Sequence, residues 1–495
     1  MRFIKLKKKL WLPFPENESG ILILLTSFFF ITAHILSGDI PVVWPDEVLF
    51  YNPAEELFRH GVMRTTVLSG LIPGMERVTF WMPPLFIISL AAVFSVFGES
   101  LYVARMFSSV LSFAAVLLVY QIAKSLELKK GRILVPILFV TDFLFIRVSH
   151  SSRMEGMTML LGLLAIYIIL ENSAWLQDPV KPLLAGFFSG LAFLSHPFGA
   201  VYGVVGLASL FYKKNAKSIF YFISAGMLPL AGWVYYIYPE TDLLKIQFGA
   251  QLARKKELLA TFTLFDKFKI LLSGYRFSYM KLLQIFISGL GVIYIFHAVK
   301  KDRVFQFLVF WLLFLVVAVF FSTEIWYLVH IIPPFYLVLL YILQKEKKHT
   351  SWPIGASVAM NLFLVFWLFY SNFYLINAKQ KTAEFYNLMA DEIGSRKKIY
   401  LQSIPDPWFY FKSRFPDKEF REFIPGELPI DETFYMPEIQ KQDVFIFYDP
   451  KLMNSAIRKF LLENKHEFIE KNVEVLTGYD KDLRLRASMY IKRVD

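Results

Sequence analysis

Two acidic sites raise the question of chemistry. The pair Asp46–Glu47 follows the first apolar run, and the stretch SHSSRMEGM sets His150, Arg153 and Glu155 at the start of a later one. A charge at membrane depth costs about 2.5–3.5 kcal/mol on insertion scales, so such groups face a cavity or a partner. A carboxylate beside cations suits one kind of work: taking the proton from an attacking hydroxyl while positive groups hold a departing negative charge. On a helix, neighbouring side chains diverge by about 100°, so one of Asp46 and Glu47 aims at a given reacting atom and the other serves structure. The plain alternatives are solvated loop acids at 46–47 and an Arg153–Glu155 pair that only caps a helix.

Other residues extend the candidate site. Arg77 is a candidate to bind a phosphate, as are Arg59, Arg64, Arg254, Arg276 and Lys281, although each alone reads equally as a solvated cation. Tyr327 and His330 precede Pro333 and Pro334 at the outer end of an apolar run, where Tyr favours the interface. His196 before Pro197 marks a helix break. The chain has no cysteine, which excludes a disulfide, a thiolate nucleophile or a Cys-ligated metal. No metal ligand is assigned, and a divalent metal cofactor is left open.

The elements that must position these groups are membrane helices. Of 495 residues, 56% are hydrophobic and 18% aromatic, with 52 Phe. Mean hydropathy is +0.47. Apolar runs recur from Ile21 to Tyr374 and then cease. The formal charge of +12 sits largely in short clusters between these runs, which is an orientation signal and no footprint of nucleic acid. The bias of Lys and Arg toward the cytoplasm predicts about eleven transmembrane helices, with KLKKK at the N-terminus inside and a mostly external loop over 37–100. The predicted spans are Gly20–Leu36, Leu101–Ala123, Ile133–Val148, Gly156–Leu170, Pro182–Ser195, Phe198–Tyr212, Ser218–Tyr238, Leu282–His297, Val304–Phe321, Trp326–Leu343 and Pro353–Tyr374. Pro84–Phe97 is too short to cross and reads as interfacial or re-entrant; if it crosses, the count rises. The division is a membrane domain at 1–375 and a small α/β domain at 376–495 outside the membrane, with strands in KKIYLQS, DVFIFYDP and SMYIKRV and helices in AEFYNLMADEI and NSAIRKFLLENK.

With this layout, a resemblance becomes legible. DE after the first span, PPL opening a run that ends in FG, then YVARMFSSV, a basic loop and SRME occur in an order that resembles the C-type membrane glycosyltransferases. Within them it looks like the branch of the protein mannosyltransferases and the aminoarabinose transferase of lipid A. The match covers about Trp44 to Leu170, with an echo in WYLVHIIPPFYLVL. The resemblance implies that Asp46 activates the acceptor. The second acidic site, which in the family reads Arg, any residue, Asp, is here Arg153, Met154, Glu155. Met82 stands where the family often has Lys or His before PPL, so a phosphate contact falls to another cation such as Arg77 or Arg153. No WWDYG-type motif occurs in the C-terminal domain, which disfavours bloc transfer to Asn.

The expectation is transfer of a single sugar from a polyprenyl-phosphate-linked donor to a lipid, glycan or protein acceptor at the extracytoplasmic face, with inversion. Asp46, Glu47 and Glu155 are the candidate catalytic residues; Arg77, Arg153, His150, Tyr327 and His330 are candidates for substrate binding. The chain is read as multi-pass in a cell inner membrane, among membrane lipids and without a nucleic-acid partner. The rivals are a lipid-linked glycan transporter or flippase, against which the lack of an internal repeat and the large external domain argue, and a non-enzymatic scaffold.

Overall fold

The computed structural model describes residues 16–36, 42–129, 131–171, 179–212, 216–261, 302–322, 325–345 and 381–493 except 423–429 and 477–483, with isolated positions at 263, 355, 359–361 and 363. Most of these residues are helical. In chain order the first eleven helices are α1 (Glu16–Leu36), α2 (Pro45–His60), α3 (Leu85–Phe97), α4 (Leu101–Ser125), α5 (Leu134–Val140), α6 (Phe143–Ser149), α7 (Glu155–Leu170), α8 (Val180–Ser195), α9 (Gly199–Tyr212), α10 (Ala216–Ile237) and α11 (Thr241–Thr261). Helices Arg303–Ser322 and Ile332–Gln344 follow. Among the described residues five stretches are long and apolar enough to cross a membrane: Glu18–Ile35, Leu101–Ser125, Ala216–Ala253, Arg303–Ser322 and Trp326–Gln344. Four apolar helices are shorter. The protein is therefore a multi-pass membrane protein. The predicted span Leu282–His297, and nearly all of Pro353–Tyr374, lie outside the described residues.

The predicted span Ile133–Val148 is instead two short helices, α5 and α6, parted at Thr141 and Asp142. The cause is the buried acid. Asp142 caps α6 by accepting from Leu144 N at 2.9 Å and Phe145 N at 3.1 Å, and Tyr336 donates to its other oxygen at 2.5 Å. A continuous helix would deny the carboxylate those two amides. The short run at 85–97 forms α3, whose 13 residues rise only about 20 Å, short of a hydrocarbon core. Its Phe86, Ile87, Leu90 and Phe94 are buried, and it packs on α2.

Outside the apolar helices, the C-terminal residues build a five-stranded sheet. Its strands are β1 (Lys398–Gln402), β2 (Glu419–Glu422), β3 (Val444–Phe447), β4 (Phe468–Leu476) and β5 (Arg484–Lys492), in the order β2-β1-β3-β5-β4. β1 pairs parallel with β2 and β3, while β5 runs antiparallel to β3 and β4. β1 and β3 are apolar throughout much of their length, as central strands covered on both faces should be. The core of this unit does not stop at its own edge. One hydrophobic cluster joins Phe385, Tyr400, Trp408 and Phe445 of the C-terminal unit to Val48 and Tyr51 of α2, Leu71 and Met75 of the loop at 61–84, and Phe94 of α3.

Candidate active site

Helix α2 presents the first acidic pair. Pro45 occupies its first turn, Asp46 and Glu47 follow at the positive end of the dipole, and Arg59 and His60 sit at the other end before Gly61, whose φ of 72° stops the helix. Trp44 N donates to Glu47 Oε1 at 3.3 Å, closing the entry turn. The two acids then diverge. Glu47 is fully buried and takes a two-point grip from Arg105 of α4, with Nε at 2.9 Å from Oε2 and Nη2 at 2.7 Å from Oε1; Ser152 N donates to Oε2 at 2.8 Å. Asp46 instead keeps 38% of its side chain exposed and accepts from Arg153 Nη1 at 2.5 Å.

Arg153 is the centre of the second site. It is buried, and besides Asp46 it holds the fully buried Glu155 at the start of α7, with Nη2 at 2.7 Å and Nε at 3.1 Å from Oε1. Its backbone is pinned from both sides by Ser108 of α4: Arg153 N donates to the hydroxyl oxygen and the hydroxyl donates to Arg153 O, each at 3.2 Å. Helix α4 can come this close because the second residue of α7 is glycine. A Cβ on Gly156 would lie 2.4 Å from Ser112 Oγ. The Glu47–Arg105 pair thus ties α2 to α4, Ser108 ties α4 to the turn before α7, and Arg153 bridges Asp46 and Glu155, which leaves Asp46 as the one of these three carboxylates with solvent access.

An aromatic wall flanks Asp46. The Arg153 guanidinium lies 4.4 Å from the centre of the Trp326 ring, the Arg147 guanidinium 5.3 Å from the same ring, and Trp44 meets Trp326 edge-on at 5.7 Å. Trp44, Arg147 and Trp326 were not singled out by sequence reasoning; the available signal was Trp44 directly before Pro45–Asp46 and Trp326 next to Tyr327. The remaining predicted residues fall elsewhere. His150 is buried, close to Ser149 Oγ at 3.1 Å and edge-on to Phe29 at 5.1 Å. Tyr327 bonds His196 at 2.8 Å and His330 bonds Tyr202 at 2.9 Å, with Phe198 stacked on His330. These pairs knit α8 and α9 to the segment before Pro333. Arg77 is exposed and pairs with Glu240 at 2.7 Å. Among the described residues, no group of three or more His, Cys, Asp or Glu is placed to hold a metal.

The arrangement matches known proteins in fold. Residues 82–236 match the family model of dolichyl-phosphate-mannose-protein mannosyltransferase. No curated protein sequence matches the chain. Among solved structures, ArnT from Cupriavidus metallidurans in the apo state aligns with a TM-score of 0.61 at 11% identity, covering 96% of this chain and 98% of that one. The same protein bound to undecaprenyl phosphate aligns at 0.59 and 11% identity, over 95% and 98%. The Archaeoglobus fulgidus oligosaccharyltransferase, in complex with Zn and sulfate, aligns at 0.50 and 12% identity, over 86% of this chain and 67% of that one.

Proposed function

We propose that this chain, which carries the C-type membrane glycosyltransferase fold, transfers a single sugar from a polyprenyl-phosphate-linked donor to an acceptor hydroxyl at the extracytoplasmic face of a bacterial inner membrane. The observation that carries the reading is the division of labour among the carboxylates. Glu47 and Glu155 are sealed in ion pairs, and Asp46 alone of the three combines exposure with an Arg contact.

In the proposed reaction Asp46 accepts the proton of the acceptor hydroxyl as its oxygen attacks the anomeric carbon. The bond from that carbon to the phosphate oxygen breaks, and its electron pair leaves with the lipid phosphate. A single displacement inverts the anomeric centre. Arg153 orients Asp46 through a charge-assisted bond, with Glu155 balancing the guanidinium. Arg147, across Trp326 from Arg153, supplies positive charge for the departing phosphate. The Trp44 and Trp326 rings offer apolar faces for a sugar to lie on. Glu47 and Arg105 hold α2 in place and do no chemistry. The N-terminus is cytoplasmic and the C-terminal unit periplasmic in this reading. Transfer to a lipid, a glycan or a protein is compatible with the same proton step. No observation favours the transporter or flippase reading.

The test is reconstitution of the purified chain in liposomes with a radiolabelled polyprenyl-phosphate sugar and candidate hydroxyl acceptors. Label should move to the acceptor and free lipid phosphate should appear in equal amount. Movement of the intact donor across the bilayer without transfer would replace the enzyme reading with a flippase.

A further inference from the structure

The C-terminal unit touches the candidate site at one place. The segment after β1, residues 403–412, grips α2 at its entry and along its side. Asp406 N donates to Val43 O at 2.9 Å, one residue before Trp44 and three before Asp46. Asp406 Oδ1 accepts from Trp408 N at 2.8 Å, which sets Trp408 in place, and Tyr51 of α2 meets the Trp408 and Phe409 rings edge-on at 5.9 and 4.9 Å. Further along, Lys412 is paired with the buried Glu55 of α2. Asp406 is buried, its Oδ2 has no hydrogen-bond partner among the described residues, and the acid that acts on it is the buried Glu422 at the end of β2, whose own N donates to Val67 O at 2.8 Å. The backbone amides of these two buried acids thus anchor the chain on both sides of α2, at Val43 and at Val67.

From this geometry we propose that Asp406 is a positioning residue for Asp46, so that the C-terminal unit is part of the active-site scaffold. The inference rests on the proposed role of Asp46. Asp406 is built to be neutral when it does this. The titratable groups around it are Glu422 on β2, Glu47 on α2 and Tyr386 on the helix at 381–393, whose hydroxyl donates to Asp406 O at 2.9 Å; Lys412 is held by Glu55. Burial, with the Glu47 charge adding to it, pushes Asp406 up to about 7 from its ordinary 3.8. The sign follows directly. Because the native state holds the proton more tightly, docking is fully stabilised below about pH 4, weakens as pH rises, and has lost that contribution above about 7.

Two substitutions separate positioning from bulk folding. Asp406→Ala removes the bond that fixes Trp408 and the carboxyl contact with Glu422. Asp406→Asn keeps an oxygen for Trp408 N and stands in for the neutral acid. Hydrogen exchange of the full-length protein in detergent reads the claim without any assay of transfer. Amides at 44–50 should exchange at least tenfold faster in Asp406→Ala and return to wild-type rates in Asp406→Asn, while amides of α7 stay unchanged. Unaltered exchange at 44–50 in Asp406→Ala overturns the proposal, as does equal acceleration throughout the protein. In the transfer assay kcat should fall more than tenfold in Asp406→Ala with donor KM within about twofold, and Asp406→Asn should recover it and lack the inflection near pH 7 expected of wild type. A KM change without a kcat change would also overturn positioning. Absence of transfer by the wild-type chain sinks the proposed function and leaves the exchange result to stand or fall alone.

Discussion

Asp46 and Glu47 are adjacent in sequence and opposite in fate. Helical geometry predicts that the two side chains diverge, and in the structure Glu47 turns to Arg105 and Asp46 to Arg153. Replacing Asp46 by Asn keeps the shape and removes the base. Single-turnover transfer should fall about a hundredfold to ten-thousandfold, with donor binding little changed and the protein monodisperse. Normal turnover by well-folded Asp46→Asn would remove it as the base. Glu155→Gln should act more through donor affinity, because Glu155 reaches the site only through Arg153. Arg105→Met leaves Glu47 buried and uncompensated, and breaking such a pair costs about 3–5 kcal/mol. Thermal unfolding in detergent should show that loss, and Arg105→Met with Glu47→Leu should recover part of it. The motif DE and the RME stretch were visible in the sequence because charges interrupting apolar runs stand out. The Arg153–Glu155 pair was legible from its spacing, but the partner of Glu47 was not, since Arg105 lies 58 positions away and no local rule links them.

Helix existence was legible and helix continuity was not. Hydropathy marks Ile133–Val148 as one apolar run, yet Asp142 in its middle finds amide partners only by ending α5 and starting α6. The loop after α10 reads as a charged connection, but Thr241–Thr261 is helical and its buried Gln247 bonds Phe80 N, Pro73 O and Val78 O at 2.6, 3.0 and 3.1 Å, clamping the loop ahead of Met82. In the C-terminal unit β1, β3 and β5 were expected from their apolar content. The edge strands were missed: β2 has four residues and puts Glu422 at one of its two buried positions, and β4 opens with four exposed residues after Phe468 and alternates only over 472–476. Small residues do comparable hidden work between helices. A Cβ on Gly186 of α8 would meet Phe222 O at 2.0 Å, so Gly186→Val should force α8 from α10 and lower stability by about 1–3 kcal/mol. Thermal unfolding checks this, and an unchanged midpoint would mean the pair is looser than its geometry implies.

At the level of the whole molecule, the absence of native cysteine makes topology easy to test. Single cysteines near Lys130, Lys214 and Lys347 should be shielded from an impermeant thiol reagent in intact cells, while those near Gly98, Gln251 and Tyr479 should react. Label entering at Lys130 and failing at Gly98 would reverse the path through α3 and α4. The hydrophobic cluster shared by α2, the loop after it and the C-terminal sheet also sets an order of events in time. The helix that carries Asp46 leaves the ribosome about 360 residues before the segment that covers it. At about 5–20 residues per second, the wait for Asp406 to meet Val43 is roughly 20–70 s. During that interval Tyr51 and Phe94 lack their C-terminal cover, so a nascent or prematurely ended chain carries a sticky, unfinished loop. Newborn molecules should therefore be inert until the strands around Asp406 have emerged, and a stop codon before β1 should yield a product that quality-control proteases remove.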